Sequence, residues 1–225
     1  MILLLDTTTN PTTIGLWDGK KLKTKSIESN PENNRKLVSI IKKFLQPGTP
    51  HRLNLWDEIK AIGVINGPGT FTGVRTGVTI ANTISYALKI PLYSMDTLTA
   101  QVPLLTNPSN LSQPTTPINN VVSLVSASNS EVYFARFEKG KMIGKIELIN
   151  VEDNLKNRLK NGDYIACDIK CEHAQNIQYP ISSISSKRRI ECLLQMIINK
   201  KLRPTKQVLP LYIKKPNITI SKKNK

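Results

Sequence analysis

The chain has 225 residues, 39% of them hydrophobic, and a formal charge of +16. That apolar share excludes wholesale disorder and is enough for one large domain or two small lobes. The charge favours acidic partners, of which nucleic acid is the commonest, although the lysines are scattered among asparagines, as on an ordinary solvated surface. Three cysteines do not pair off and fit a reducing compartment. The short run "MILLLD" ends in a carboxylate and is no secretion signal, and no stretch approaches a membrane span. A cytoplasmic protein with no membrane partner is expected.

In chain order, Ile2–Leu5 reads as a short buried strand ending at Asp6. "TTTNPTT" is a turn, and "TIGLWDGKKLKTKSIES" a hairpin with Asp18-Gly19 at its tip. Leu37, Ile40, Ile41, Phe44 and Leu45 repeat at helix spacing, which predicts a helix over Arg35–Leu45, stopped by "QPGTP". "IKAIGVING" is another buried strand. Gly67-Pro68-Gly69 turns the chain, and Thr70 or Thr72 caps a helix reaching about Leu88. "IPLYSM" is the next strand, and residues 103–119, rich in Pro, Asn, Ser and Thr, read as a linker.

After the linker the pattern restarts. "VSLVSASNSEVYFARFEKG" lies over "ILLLDTTTNPTTIGLWDGK" at a constant offset of 120, so that Ile14 meets Phe134, Trp17 meets Phe137 and Asp6 meets Ser126. Two related lobes follow from this weak repeat: residues 1–102 and 120–200, with a basic tail over 201–225 whose end is expected to be mobile. Within the second lobe a helix is expected near Asp153–Lys160, a strand at "DYIACD", and a helix from Ser186 to Lys200.

Three motifs are candidates for chemistry. Asp6 with Thr7 and Thr8 ends a first strand. In phosphotransferases built from two such lobes an aspartate here holds a metal–nucleotide, with a second carboxylate in the other lobe. Here the second lobe offers Ser126, so the favoured reading is a strand-end aspartate capping its own turn. The stretch "INGPGTFTGVRTG" is neither a P-loop nor G-x-G-x-x-G, but Gly67 and Gly69 before a helix start could still hold an anion. Cys167, Cys171 and His173 form C-x3-C-x-H without an evident fourth ligand, so no metal is assigned. His51 and His173, the only histidines, stand far apart, and no nucleophile elbow occurs.

"LLLDTTT", "GPGTFTGVRTG", "SEVYFARF" and "PLYIKK", in this order over most of the chain, resemble the TsaB (YeaZ) family of bacterial tRNA threonylcarbamoyladenosine biosynthesis proteins. The resemblance implies an α/β, actin-like (ASKHA, ribonuclease H-like) fold of two lobes. It also implies a non-catalytic scaffold that assists formation of N6-threonylcarbamoyladenosine at position 37 of tRNAs reading codons that begin with A. The implied partners are a TsaD-like paralogue, a TsaE-like ATPase and, through the assembled complex, tRNA; a homodimer is the alternative when the chain is alone. ATP and metal belong to those partners, and no cofactor or catalytic residue is assigned to this chain. Ser126 and Asn33–Asn34 stand where the family commonly has an aspartate and a histidine, which weakens any catalytic claim.

In that family the helix after the glycine turn and the helix before it face the partner. Gly73, Gly77, Ala81 and Ser85 recur every four residues as a smooth ridge that would admit a partner helix. With Arg75 they form the expected interface, while Val74, Val78 and Ile84 face the chain's own sheet. Two other readings are carried: an ATP-dependent phosphotransferase of the same fold, and a direct RNA-binding module supported only by charge.

Overall fold

Leu3, Leu4 and Leu5 have no solvent exposure, so the first strand, β1 (Ile2–Asp6), is covered on both faces. A strand covered this way carries an unbroken apolar run rather than an alternating one. In the computed structural model, which describes residues 1–45, 55–103, 118–168 and 179–214, β1 is the centre of a five-stranded sheet. On one side it pairs antiparallel with β2 (Thr12–Trp17), which pairs with β3 (Leu22–Ile27); Asp18 caps the hairpin by accepting from the Lys20 and Lys21 amides. On the other side it runs parallel to β4 (Ala61–Ile65), and β4 to β5 (Leu92–Met95). Helices α1 (Pro31–Leu45) and α2 (Phe71–Leu88) cover one face through Leu37, Ile41, Val74, Val78 and Ile84. The helix before the glycine turn therefore starts at Pro31, four residues earlier than its apolar spacing indicates. Thr70 holds the N-cap position of α2 without a side-chain cap bond, and α2 ends where expected.

The second sheet repeats the plan. Its order β10-β9-β6-β7-β8 mirrors β5-β4-β1-β2-β3. It contains β6 (Asn120–Ser126), β7 (Glu131–Glu138), β8 (Lys141–Asn150), β9 (Tyr164–Cys167) and β10 (Ile181–Ser183). The helix expected near 153–160 is one π turn, Val151–Leu155, followed by Lys156–Arg158. One detail of the sequence repeat is corrected. Leu5 pairs with Ile14, whereas Leu124 pairs with Phe134, so the second strands correspond at an offset of 120 but the first strands at 119. A one-residue slip moves every side chain to the other face. The position matching Asp6 is thus Val125, not Ser126.

The last helix, α3 (Ser186–Ile198), follows the second sheet in sequence but lies on the first. Two glycines admit it. A Cβ at Gly15 would stand 2.7 Å from Ile190, and one at Gly63 would stand 2.9 Å from Ile197 and 3.1 Å from Leu193. The helix also completes a core shared by both sheets, which includes Leu4, Ile65, Val121, Val125, Phe137, Ile190 and Leu193.

The first part of the tail, through Lys214, packs against the first lobe. Thr205 bridges Leu92, the Asn82 side chain exchanges two hydrogen bonds with the Val208 backbone at 2.8 and 3.0 Å, and Leu211 donates to the Asn66 carbonyl at 2.8 Å. This strap runs beside α2 to the second lobe, where Lys214 pairs with Glu131. The expected helix stop at 46–50, most of the linker, His51, Cys171, His173 and the tail beyond 214 lie outside the described residues.

Candidate functional site

In a sheet with parallel strands, ligand sites form at the strand carboxyl ends. Here those ends bring together the residues singled out from sequence. Thr7 and Thr8 after β1 meet Gly69, Gly73 and Gly77, and Asp6 binds Thr8, whereas Gly67 after β4 packs on Leu211 of the strap and on Val74.

Asp6 is fully buried and both carboxylate oxygens are taken. Oδ1 accepts from the Thr8 amide at 3.1 Å and the Thr8 hydroxyl at 2.6 Å; Oδ2 accepts from Arg189 Nε at 2.7 Å. Arg189 is itself fully buried, and its other nitrogens donate to the Ile184 carbonyl and the Thr9 hydroxyl. A buried guanidinium is tolerated because each of its three nitrogens finds an acceptor. One turn earlier on α3, Ser186 and Thr13 share a 2.6 Å bond between hydroxyls. The family of folds with this topology implies a metal–nucleotide at this aspartate. The residues present do not fit one, because Asp6 is fully buried and Arg189 already supplies the positive charge beside it.

The glycine stretch has an equally internal explanation. Thr7 donates to the Gly73 carbonyl at 2.7 Å, and the Thr70 amide donates to the Thr8 carbonyl at 2.8 Å. A Cβ at Gly69 would lie 2.3 Å from Thr8 O, one at Gly73 2.1 Å from Thr7 O, and one at Gly77 2.1 Å from Thr7 Oγ1. What approaches these glycines is the threonine turn after β1. The small ridge expected to admit a partner helix therefore faces inward: Gly73, Gly77, Ala81 and Ser85 are all buried. Sequence spacing identifies a smooth ridge but not its direction, since Val74, Val78 and Ile84 on the adjoining face are buried as well.

The outward stripe of α2 is Thr72, Arg75, Thr79, Thr83 and Tyr86. Of the expected interface residues only Arg75 belongs to it. Its guanidinium lies 4.5 Å over the Phe71 ring, which stacks on Tyr212 of the strap at 4.8 Å. Tyr86 is 88% exposed, and Val38 on α1 is 51% exposed.

Sequence reasoning missed Arg189 and Asn82. Arg189 did leave a signal: it falls on the same helical stripe as Ser186, Ile190, Leu193 and Ile197, where a cation needs a buried partner. Asn82, which fastens the strap, left none. Cys192 is buried, and burial pushes its thiol up to about 12, so it is no nucleophile. Among the described residues no group of three or more His, Cys, Asp or Glu could hold a metal, and no helix is long and apolar enough to cross a membrane.

Comparison with known proteins bears on the same features. The family model for TsaD, tRNA N6-adenosine threonylcarbamoyltransferase, matches residues 37–196. The tRNA threonylcarbamoyladenosine biosynthesis protein TsaB of Buchnera aphidicola (subsp. Schizaphis graminum) is 31% identical over 98 residues, 44% of this chain and 45% of that protein. TsaB of Haemophilus influenzae is 29% identical over 142 residues, 63% of this chain and 55% of that protein. The chain thus spans about half the length of these curated relatives. A crystal structure of an uncharacterized Pseudomonas aeruginosa protein with similarity to peptidase YeaZ superposes with a TM-score of 0.68 at 16% identity, covering 95% of this chain and 99% of that one. That likeness establishes the two-lobed, actin-like α/β fold. Taken with the repeated sheets, the threonine turn seated on the glycine helix and the extent of the family match, it follows that the chain belongs to the TsaD family, in its TsaB (YeaZ) branch.

Proposed function

We propose that this chain is a non-catalytic scaffold in the formation of N6-threonylcarbamoyladenosine at position 37 of tRNAs reading codons that begin with A. The observation that carries the reading is Arg189: it occupies the place beside Asp6 that a cation would need for phosphate chemistry. The second lobe supports the same conclusion, since Val125 stands at the position matching Asp6. The relatives named TsaB supply the pathway.

On this reading ATP and metal belong to other subunits, a TsaD-like paralogue that transfers the carbamoyl group and a TsaE-like ATPase, and tRNA is met through the assembled complex. The docking face is α2 with α1, offered through Arg75, Tyr86 and Val38 rather than through the inward glycines. A homodimer using the same face is the alternative to a monomer when the chain is alone. The test is reconstitution with the paralogue and the ATPase from the same organism, measuring modified adenosine with and without this chain. Modification should require it, and Arg75→Glu with Tyr86→Asp should weaken assembly without lowering the melting temperature. Full modification in its absence would overturn the proposal.

A further inference from the structure

A polar groove of about 340 Å³ lies between the β2–β3 hairpin and α3, away from the Asp6 cluster. Trp17, Leu22 and Thr24 form one wall, and Lys187, Glu191, Leu194 and Gln195, spaced one turn apart on α3, form the other; Lys20 stands at the hairpin turn. Trp17 is partly exposed, and Lys20 and Lys187 are exposed. Among the described residues neither lysine makes an ion pair. The single acidic side chain of the groove, Glu191, is held by Arg188 at 3.2 Å, so the groove and its rim keep a net positive charge. One tail lysine differs: Lys214 is neutralised by Glu131.

We infer that this groove holds a single-stranded segment of RNA, one base stacked on Trp17 and the flanking phosphates on Lys20 and Lys187. A partly exposed aromatic side chain in a groove with two cations that make no ion pair is the combination that binds single strands without reading sequence. Thr24 and Gln195 line the same groove and can donate and accept hydrogen bonds. The inference deepens the proposed role in tRNA modification and rests on it for the identity of the RNA.

The test uses the full chain with Trp56→Phe, which leaves Trp17 as the sole tryptophan. It is titrated at low salt with an oligouridylate of about ten nucleotides, within the site sizes of single-strand binders, and with duplex RNA of the same length. The oligouridylate should quench Trp17 fluorescence and the duplex should not. Lys20→Glu with Lys187→Glu should weaken binding at least tenfold and reduce the salt slope by about 0.7 for each phosphate no longer neutralised. Lys42→Glu with Lys43→Glu on the exposed side of α1 changes net charge equally and should weaken binding much less. Binding without quenching, or equal weakening by both charge reversals, overturns the groove. Loss of RNA binding in the groove variant while the reconstituted reaction proves independent of this chain would instead overturn the proposed function alone.

Discussion

The two halves of the molecule share one sheet plan and differ in what they do with the strand end. In the first half β1 ends in Asp6, and the turn after it is seated on α2 through glycines that tolerate no Cβ. In the second half β6 ends beside Asp168, whose carboxylate accepts from the Ser126 amide at 3.4 Å, and Val125 stands where Asp6 would. Among the described residues two arginine–carboxylate pairs lie largely out of solvent. Arg136 and Asp163 form theirs within the second half, with two bonds at 2.6 and 2.9 Å. Arg189 and Asp6 form theirs between α3 and the first sheet. The two halves thus share one sheet plan, and in the first the strand-end carboxylate is a structural anchor held by Arg189.

The largest way to break this contrast is Arg189→Met. It leaves Asp6 charged, buried and without its cation, and removal of one partner of a buried pair costs about 3–5 kcal/mol. Urea unfolding should show that loss. Adding Asp6→Asn should recover a substantial part, because no uncompensated charge then remains. If the single variant is as stable as the parent, the anchor is not structural.

Gly77→Leu comes next. A side chain there meets Thr7 Oγ1, and overpacking costs typically about 1–3 kcal/mol. The variant should melt early, the opposite of what a partner-facing ridge would give. An unchanged melting temperature with lost assembly would return the ridge to the interface.

Asn82→Ala tests whether the strap belongs to the first half. It deletes both side-chain bonds to Val208, at about 1 kcal/mol each. Amide exchange should accelerate from Thr205 to Leu211 and leave the second sheet unchanged.

The smallest effect is expected for Lys214→Ala, which severs the link from the strap to the second half. Both side chains are nearly a third exposed, so the pair contributes about 0.2–1 kcal/mol. Hydrogen bonds from Lys214 and then Ser128 hold the Glu131 carboxyl below its ordinary value of 4.5. A carboxyl depressed in the folded state stabilises above the unfolded value and loses that contribution as pH falls through the folded one. Removing Lys214 should therefore lower stability slightly at neutral pH and narrow the acid-side loss below about pH 4.5. Parallel stability–pH curves for the two proteins would show that the pair is inert.

Much of the fold was legible without coordinates because its signals are local. Apolar runs reported buried strands, Asp18-Gly19 reported the hairpin, helix spacing reported α1, α2 and α3, and the restart after the linker reported the second sheet. The family resemblance rested on the same contiguous stretches. What the sequence did not hold was direction and partnership. Gly73 and Gly77 announce that something comes close, but either face of α2 would satisfy the same spacing. Asp6 meets a guanidinium 183 residues away, and the Asn82 amide meets a backbone 126 residues away. Such pairings are selected by the packing of α3 and the strap over the first sheet, where each buried polar group must find whichever partner the folded chain brings to it. Only the tertiary structure decided that the cation beside Asp6 would be the protein's own.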